Sequence, residues 1–182
     1  MAEHNLEDTL SLLARTPFTL NALLLDLPAI WTQRSEGEDT WTVCEVAAHL
    51  LDADRVNWMP RARHILEFGD TRPFEAFNRS GGERAGQDKS LGQVLDEFAR
   101  LRSENLAALR GLNLQPHQIE LPGSHPALGA VTLSQLLAAW AAHDLTHLHQ
   151  ITRIMAHQYR EAVGPWSKFL GVLHCDGHSL PA

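Results

Sequence analysis

An all-α fold, a four-helix bundle with a split first helix and a short last segment, is what this sequence predicts, and three observations carry the prediction. Apolar residues recur at helical spacing in three long stretches and in shorter ones at either end. The three long stretches open on Ser/Thr-x-x-Glu/Gln, the spacing of a capping box, at Thr42 and Glu45, Ser90 and Gln93, Thr132 and Gln135. No segment of useful length alternates apolar with polar residues as a half-buried strand would, so helices packed on helices are the economical way to bury these stripes. At 182 residues and 44% apolar composition the chain suits one domain, residues 1–182, with a core that needs no staples.

Leu6, Leu10, Leu12 and Leu13 give the first segment its stripe. Thr16-Pro17 reads as a helix cap followed by proline at the first helical position, which splits this helix; residues 18–27 are apolar enough for core, and Pro28 ends them. Residues 33–40 are polar, contain Gly37 and form a loop. The helix opened by Thr42 places Val46, His49, Ala53 and Val56 on one face, beside Leu50 and Leu51, and extends to about Phe68 with a kink near Pro60. Residues 69–89 read as a long irregular connection, of a length more often functional or mobile than inert.

The helix from Ser90 carries Leu91, Val94, Leu95, Phe98, Leu101, Leu106 and Leu109, closes at Gly111 and reads as structural. Residues 115–131 contain Pro116, Pro122, Gly123, Pro126 and Gly129, which predicts a loop with a short extended piece at 119–121. Thr132 opens a helix running through Leu136, Trp140, His143, His147, Ile151 and Ile154. Gly164-Pro165 restarts a short segment, residues 166–173, ahead of the tail His174-Cys175-Asp-Gly-His178.

Charge and cysteine use exclude several classes of function. A net charge of -7 without any basic cluster argues against nucleic-acid binding. The acidic start lacks an apolar leader and no apolar run reaches about 18 residues, so neither a secretory signal nor a membrane span is expected and the chain is read as soluble and cytoplasmic. Cys44 and Cys175, far apart, are read as reduced thiols.

The chemistry centres on His143 and His147. Side chains at i and i+4 share a helix face, so both imidazoles can reach one ion, while a catalytic metal site wants a third protein ligand. His49 supplies the candidate, because it lies on the apolar face of another helix and bundle interiors are where such sites are built. A single core histidine is most often just a buried ring satisfied by hydrogen bonds. Three at core positions would each be desolvated unless something joins them, and a neutral imidazole triad suits Zn²⁺, Ni²⁺ or Fe²⁺.

Around the triad, Asp52 is a candidate catalytic carboxylate that could orient His49, add a fourth ligand or act as a base. A solvated surface role is its plainer alternative. Gln150, three residues past His147, is a candidate support for that ring, and Trp140 a candidate pocket wall, though an aromatic at helical spacing is commonly core. Asp144 and His149 are expected to point away, toward surface or a dimer contact. Cys44, in a first helical turn where the dipole favours a thiolate, is read as packing. His174 and His178 are read as a mobile tail; His64, His117 and His125 have no partner at useful spacing.

The run Thr40-Trp41-Thr42-Val43-Cys44-Glu45-Val46-Ala47-Ala48-His49-Leu50, followed by His143-Asp144-Leu145-Thr146-His147-Leu148-His149-Gln150-Ile151, closely resembles the DinB-like (DNA-damage-inducible) superfamily, which includes the YfiT-type metal-dependent hydrolases. The Trp-Ser/Thr-x-x-Glu-x-x-x-His and His-x-x-x-His elements are specific in combination, and the likeness runs to about Met155. It implies an up-and-down metal-binding bundle with an extra short helix, often dimeric, with ligands at His49, His143 and His147. It also implies a chemistry. Relatives include thiol transferases and isomerases that use a low-molecular-weight thiol such as bacillithiol, mycothiol or glutathione, and others assigned as hydrolases. A Lewis-acid ion with open positions serves both by lowering the pKa of a bound thiol or water. The expectation is therefore a homodimeric, metal-dependent S-transferase or hydrolase acting on a small molecule, with such a thiol as candidate cosubstrate. The alternative is a non-catalytic metal- or ligand-binding stress-response protein.

Overall fold

The structure is a computed structural model that describes residues 4–75 and 88–175. Asn5 caps α1 (Leu6–Leu13) by accepting from the N–H groups of Glu7 and Asp8. Helix α2 (Thr16–Leu24) begins with Thr16 already inside the helix rather than as its cap, because the hydroxyl donates instead to the Asp144 carboxylate at 2.6 Å. Leu20 and Leu24, one turn apart, are fully buried, whereas Phe18, expected in the core, is 77% exposed. The helix stops short of Pro28, since Leu25 is extended and Asp26 takes φ 61°, and a single turn, α3 (Ala29–Thr32), follows.

Both halves of the capping box form at α4 (Val43–Val56): Thr42 Oγ1 accepts from the Glu45 N–H and Glu45 accepts from the Thr42 N–H. The expected kink is a full break at Asn57, after which α5 (Trp58–Phe68) starts. Pro60 explains the position, because its ring would meet the carbonyl of Val56 in a continuous helix and it has no N–H to offer. Capping boxes also start α6 (Leu91–Gly111) and α8 (Leu133–His157).

Between them the loop expectation needs correcting. Residues Pro116–Ile119 make a helical turn, α7, and Pro122–His125 (β1) pairs antiparallel with Gly129–Thr132 (β2). Four-residue strands rich in Gly and Pro show no two-residue period, which hides them from the sequence. Packing holds the hairpin: a Cβ on Gly123 would lie 2.8 Å from Ile65 of α5 and 3.2 Å from Phe74, so only glycine lets β1 close on both. Phe74 in turn donates its N–H to the Ser124 carbonyl at 2.9 Å.

The result is an up-and-down four-helix bundle: α1 with α2, α4 with α5, α6 and α8, followed by short 3₁₀ turns at Gly164–Phe169 and Gly171–Leu173, the second of which packs on α8. Its core falls into two apolar clusters. One gathers Leu10, Leu13, Trp58, Ile65, Leu106 and Trp140; the other gathers Leu20, Leu24, Leu50, Phe98, Ile151 and Ile154. A polar layer from Thr16, Asp54, Arg102 and Asp144 lies between them, and on α8 His143 and His147 flank its Asp144. Among the described residues no helix is long and apolar enough to cross a membrane.

Candidate metal centre

Helix α4 presents His49, and α8 presents His143 and His147 one turn apart, and the three rings converge. His143 Nε2 lies 3.1 Å from His49 Nε2 and 3.1 Å from His147 Nε2, and ligand atoms of all three fall within 4.8 Å of one another. His49 and His147 are buried and His143 half-buried, so the cluster faces outward at His143. Hydrogen bonding satisfies this geometry poorly. A neutral imidazole nitrogen holds one proton or one lone pair, so His143 Nε2 could serve both short contacts only by sharing a single lone pair between two donors. Three lone pairs on one cation satisfy all three nitrogens, and at Zn–N distances of about 2.0–2.1 Å neighbouring ligand atoms stand about 3.0–3.4 Å apart. The donor set therefore fits a divalent ion of the borderline class.

The surroundings favour neutral, oriented ligands. The Gln150 amide oxygen accepts from His147 Nδ1–H at 2.7 Å, which fixes the tautomer with its Nε2 lone pair facing the other rings. Burial pulls the His147 pKa down, against the Gln150 hydrogen bond and the Asp144 charge, which favour the protonated ring. Trp41 lies beside the site, its ring 5.0 Å from that of His49 and stacked 6.4 Å from His147. Its loop is pinned to the far end of α8 by the Arg153–Glu36 ion pair. On the other side Trp58 meets His143 edge-on at 5.1 Å.

The other sequence candidates fare differently. Trp140 is wholly buried, stacked on Trp58 at 5.9 Å, and its indole N–H donates to Asp54. Trp58 lies between it and His143. Asp52 is buried, and burial pushes its carboxyl up against the lowering effect of Arg55; among the described residues it is not part of the histidine cluster. Burial likewise pushes the half-buried Cys44 thiol up. His174 donates from Nε2 to the Ser167 carbonyl, and His178 lies outside the described residues.

Asp144, expected at the surface, is buried. Helix α8 has an exposed face, but the position next to His143 lies off it and faces α1, α2 and α6 instead of water. Arg102 fills that space. Its guanidinium donates to both oxygens of Asp54 (2.7 and 2.8 Å), to both oxygens of Asp144 (2.5 and 3.0 Å) and to the Leu13 carbonyl (2.9 Å), and it lies over the rings of Phe98 and Trp140. Burial alone would lower its pKa, but Asp54 and Asp144 hold it above the ordinary value. Sequence reasoning missed Arg102 and Asp54 although the signal was present: each occupies a helical position between buried apolar neighbours, as His49 does.

The sequence model of the DinB superfamily matches residues 12–151 of this chain. Among solved structures the chain is similar to YfiT from Bacillus subtilis, described as "a probable metal-dependent hydrolase with an unusual four-helix bundle topology", at a TM-score of 0.72 and 19% identity, covering 86% of this chain and 89% of that one. At that identity the likeness speaks for the bundle fold alone. No curated protein matches the chain.

Proposed function

We propose that this chain, which belongs to the DinB superfamily, is a metal-dependent enzyme in which His49, His143 and His147 hold one divalent ion, zinc, nickel or iron, and activate a thiol or a water against a small molecule. The observation that carries the reading is the convergence of three imidazoles, the kind of ligand set by which catalytic sites hold a metal ion.

Bound there, the ion would supply Lewis-acid chemistry, lowering the pKa of a thiol or water near neutral pH. The chain's own residues do the rest: Gln150 holds His147 in the ligating tautomer, and Trp41 and Trp58 flank the histidines with apolar surface that limits water. The description of YfiT supports the hydrolytic version and the resemblance of the two histidine motifs supports thiol transfer, with a low-molecular-weight thiol as cosubstrate. Cytoplasmic residence and homodimeric assembly belong to the same reading, and light scattering tests the second.

Elemental analysis of untagged protein tests the foundation. The expected result is about one divalent ion per chain in the wild type and in Asp52→Asn, and loss of the ion in His147→Ala; undiminished metal in His147→Ala would sink the reading. A screen of cellular thiols with electrophilic acceptors, run beside hydrolytic substrates, then separates the two chemistries. Metal without turnover in either arm would favour the non-catalytic binding protein.

A further inference from the structure

Arg61 of α5 is half-buried and its guanidinium lies 5.2 Å from the centre of the Phe74 ring. One of its N–H groups, on Nη2, donates to the Glu75 carbonyl at 3.3 Å, and among the described residues no carboxylate pairs with it. The more deeply buried arginines are treated otherwise: Arg102 and Arg153 each have a carboxylate. Burial pulls the Arg61 pKa down with no anion to oppose it. A cation held partly out of water without a counter-ion is unfavourable, and an anion arriving from outside relieves it.

The neighbours supply the rest of a recognition site. His125 Nδ1 accepts from the backbone N–H groups of Ala127 and Leu128, both at 3.1 Å, so the neutral ring carries its proton on Nε2 as a donor. That ring meets Phe74 edge-on at 6.0 Å, and the charge of Arg61 reaches it. The pairing of Phe74 with Ser124 and the tight fit of Gly123 beneath its ring fix the corner on backbone rather than on a free loop. One turn back along α5 stands Trp58, whose ring edge contacts His143.

We propose that Arg61 and His125, which flank the buried ring of Phe74, form a carboxylate-binding corner that anchors the substrate of the histidine centre, a small molecule with a single carboxylate. The proposal rests on reading that centre as the active site. A carboxylate fits better than a phosphate: one planar guanidinium fork matches it bidentately and balances its single charge, whereas a phosphate dianion calls for more cationic donors than Arg61 alone provides.

Calorimetric titration of the full chain with benzoate, benzamide and inorganic phosphate tests it. Benzoate is expected to bind the wild type at least about ten-fold more tightly than either of the others, and Arg61→Gln to weaken it about ten- to hundred-fold without loss of metal. Arg61→Lys keeps the charge over Phe74 but loses the fork and falls between the two. Undiminished benzoate binding in Arg61→Gln or Arg61→Lys, or benzamide or phosphate binding as tightly as benzoate, overturns the proposal. His147→Ala separates it from the metal reading. Benzoate binding that survives there but not in Arg61→Gln places the anion at the corner whatever the histidines hold. Binding lost in His147→Ala and kept in Arg61→Gln places it on the ion and overturns the corner alone.

Discussion

Replacing Arg102 by Met removes a guanidinium of similar length and leaves two carboxylates with no counter-charge inside the bundle. Asp54 and Asp144 are 1% and 2% exposed, and the side chain that joins them donates five hydrogen bonds. Removing one partner of a buried ion pair costs about 3–5 kcal/mol, and here two anions and the Leu13 carbonyl are stranded together, so about 5 kcal/mol is a floor. Against a total stability of about 5–15 kcal/mol that is close to unfolding. With a urea slope of about 2 kcal/mol per molar, the midpoint should fall by about 2 M or more in equilibrium denaturation followed by circular dichroism. Burial already pushes the Asp54 carboxyl up, so the deficit should shrink in acid, where the stranded groups take up protons. The triple variant Asp54→Leu, Arg102→Met, Asp144→Leu should recover most of the loss, because replacing a whole buried ionic group by apolar side chains is often neutral. A midpoint shift below about 0.5 M for Arg102→Met alone would refute the reasoning, since it would mean that the layer is hydrated or its charges are already neutralised.

Three further outcomes follow from the same structure. Gln150→Ala removes the acceptor that fixes the His147 tautomer and should weaken metal affinity about 10–100-fold, measured by competition with a chelating dye, while leaving the fold intact. In the metal-free chain, burial holds the His147 pKa below its ordinary value of 6.5, so in the window between the two the unfolded state binds more protons. Stability should therefore fall as pH drops below 6.5, by at most about 1.4 kcal/mol per pH unit for this group, and a flat urea midpoint from pH 7.5 to 5.5 would contradict it. Gly123→Ala would drive a methyl to 2.8 Å from Ile65 Cγ1, and the overpacking should destabilise the chain by about 1–3 kcal/mol, seen in thermal melts.

Much of this fold was legible because its signals are local. Thr42, Ser90 and Thr132 each announce a helix within four residues, and each forms the capping box its spacing predicts. The convergence of His49 with His143 and His147 was legible for a related reason: a polar ring on an apolar stripe is anomalous. The same test applied to charged residues finds Asp54, Arg102 and Asp144, but helix geometry alone only turns Asp144 away from the histidine pair, toward surface or a dimer contact, and cannot show that Arg102 waits on that side. What no local pattern could give were contacts made by chain reversal. The hairpin depends on Gly123 closing over Ile65 and Phe74, the Trp41 wall depends on a loop held by Arg153, and His125 and Arg61, 64 residues apart in sequence, both lie against Phe74.

The layer of Thr16, Asp54, Arg102 and Asp144 also has a geometric consequence. Four helices faced only with leucine could slide a turn past one another and exchange one greasy contact for another of nearly equal worth. Here such a slip would carry the Arg102 fork into the phenylalanine and leucine beds above or below it, where nothing can accept its protons. The charged tier thus acts as an index mark that sets the axial phase of α4 against α8, and with it the level at which His49 meets His143 and His147. It thereby helps set the height at which three imidazoles can share one ion.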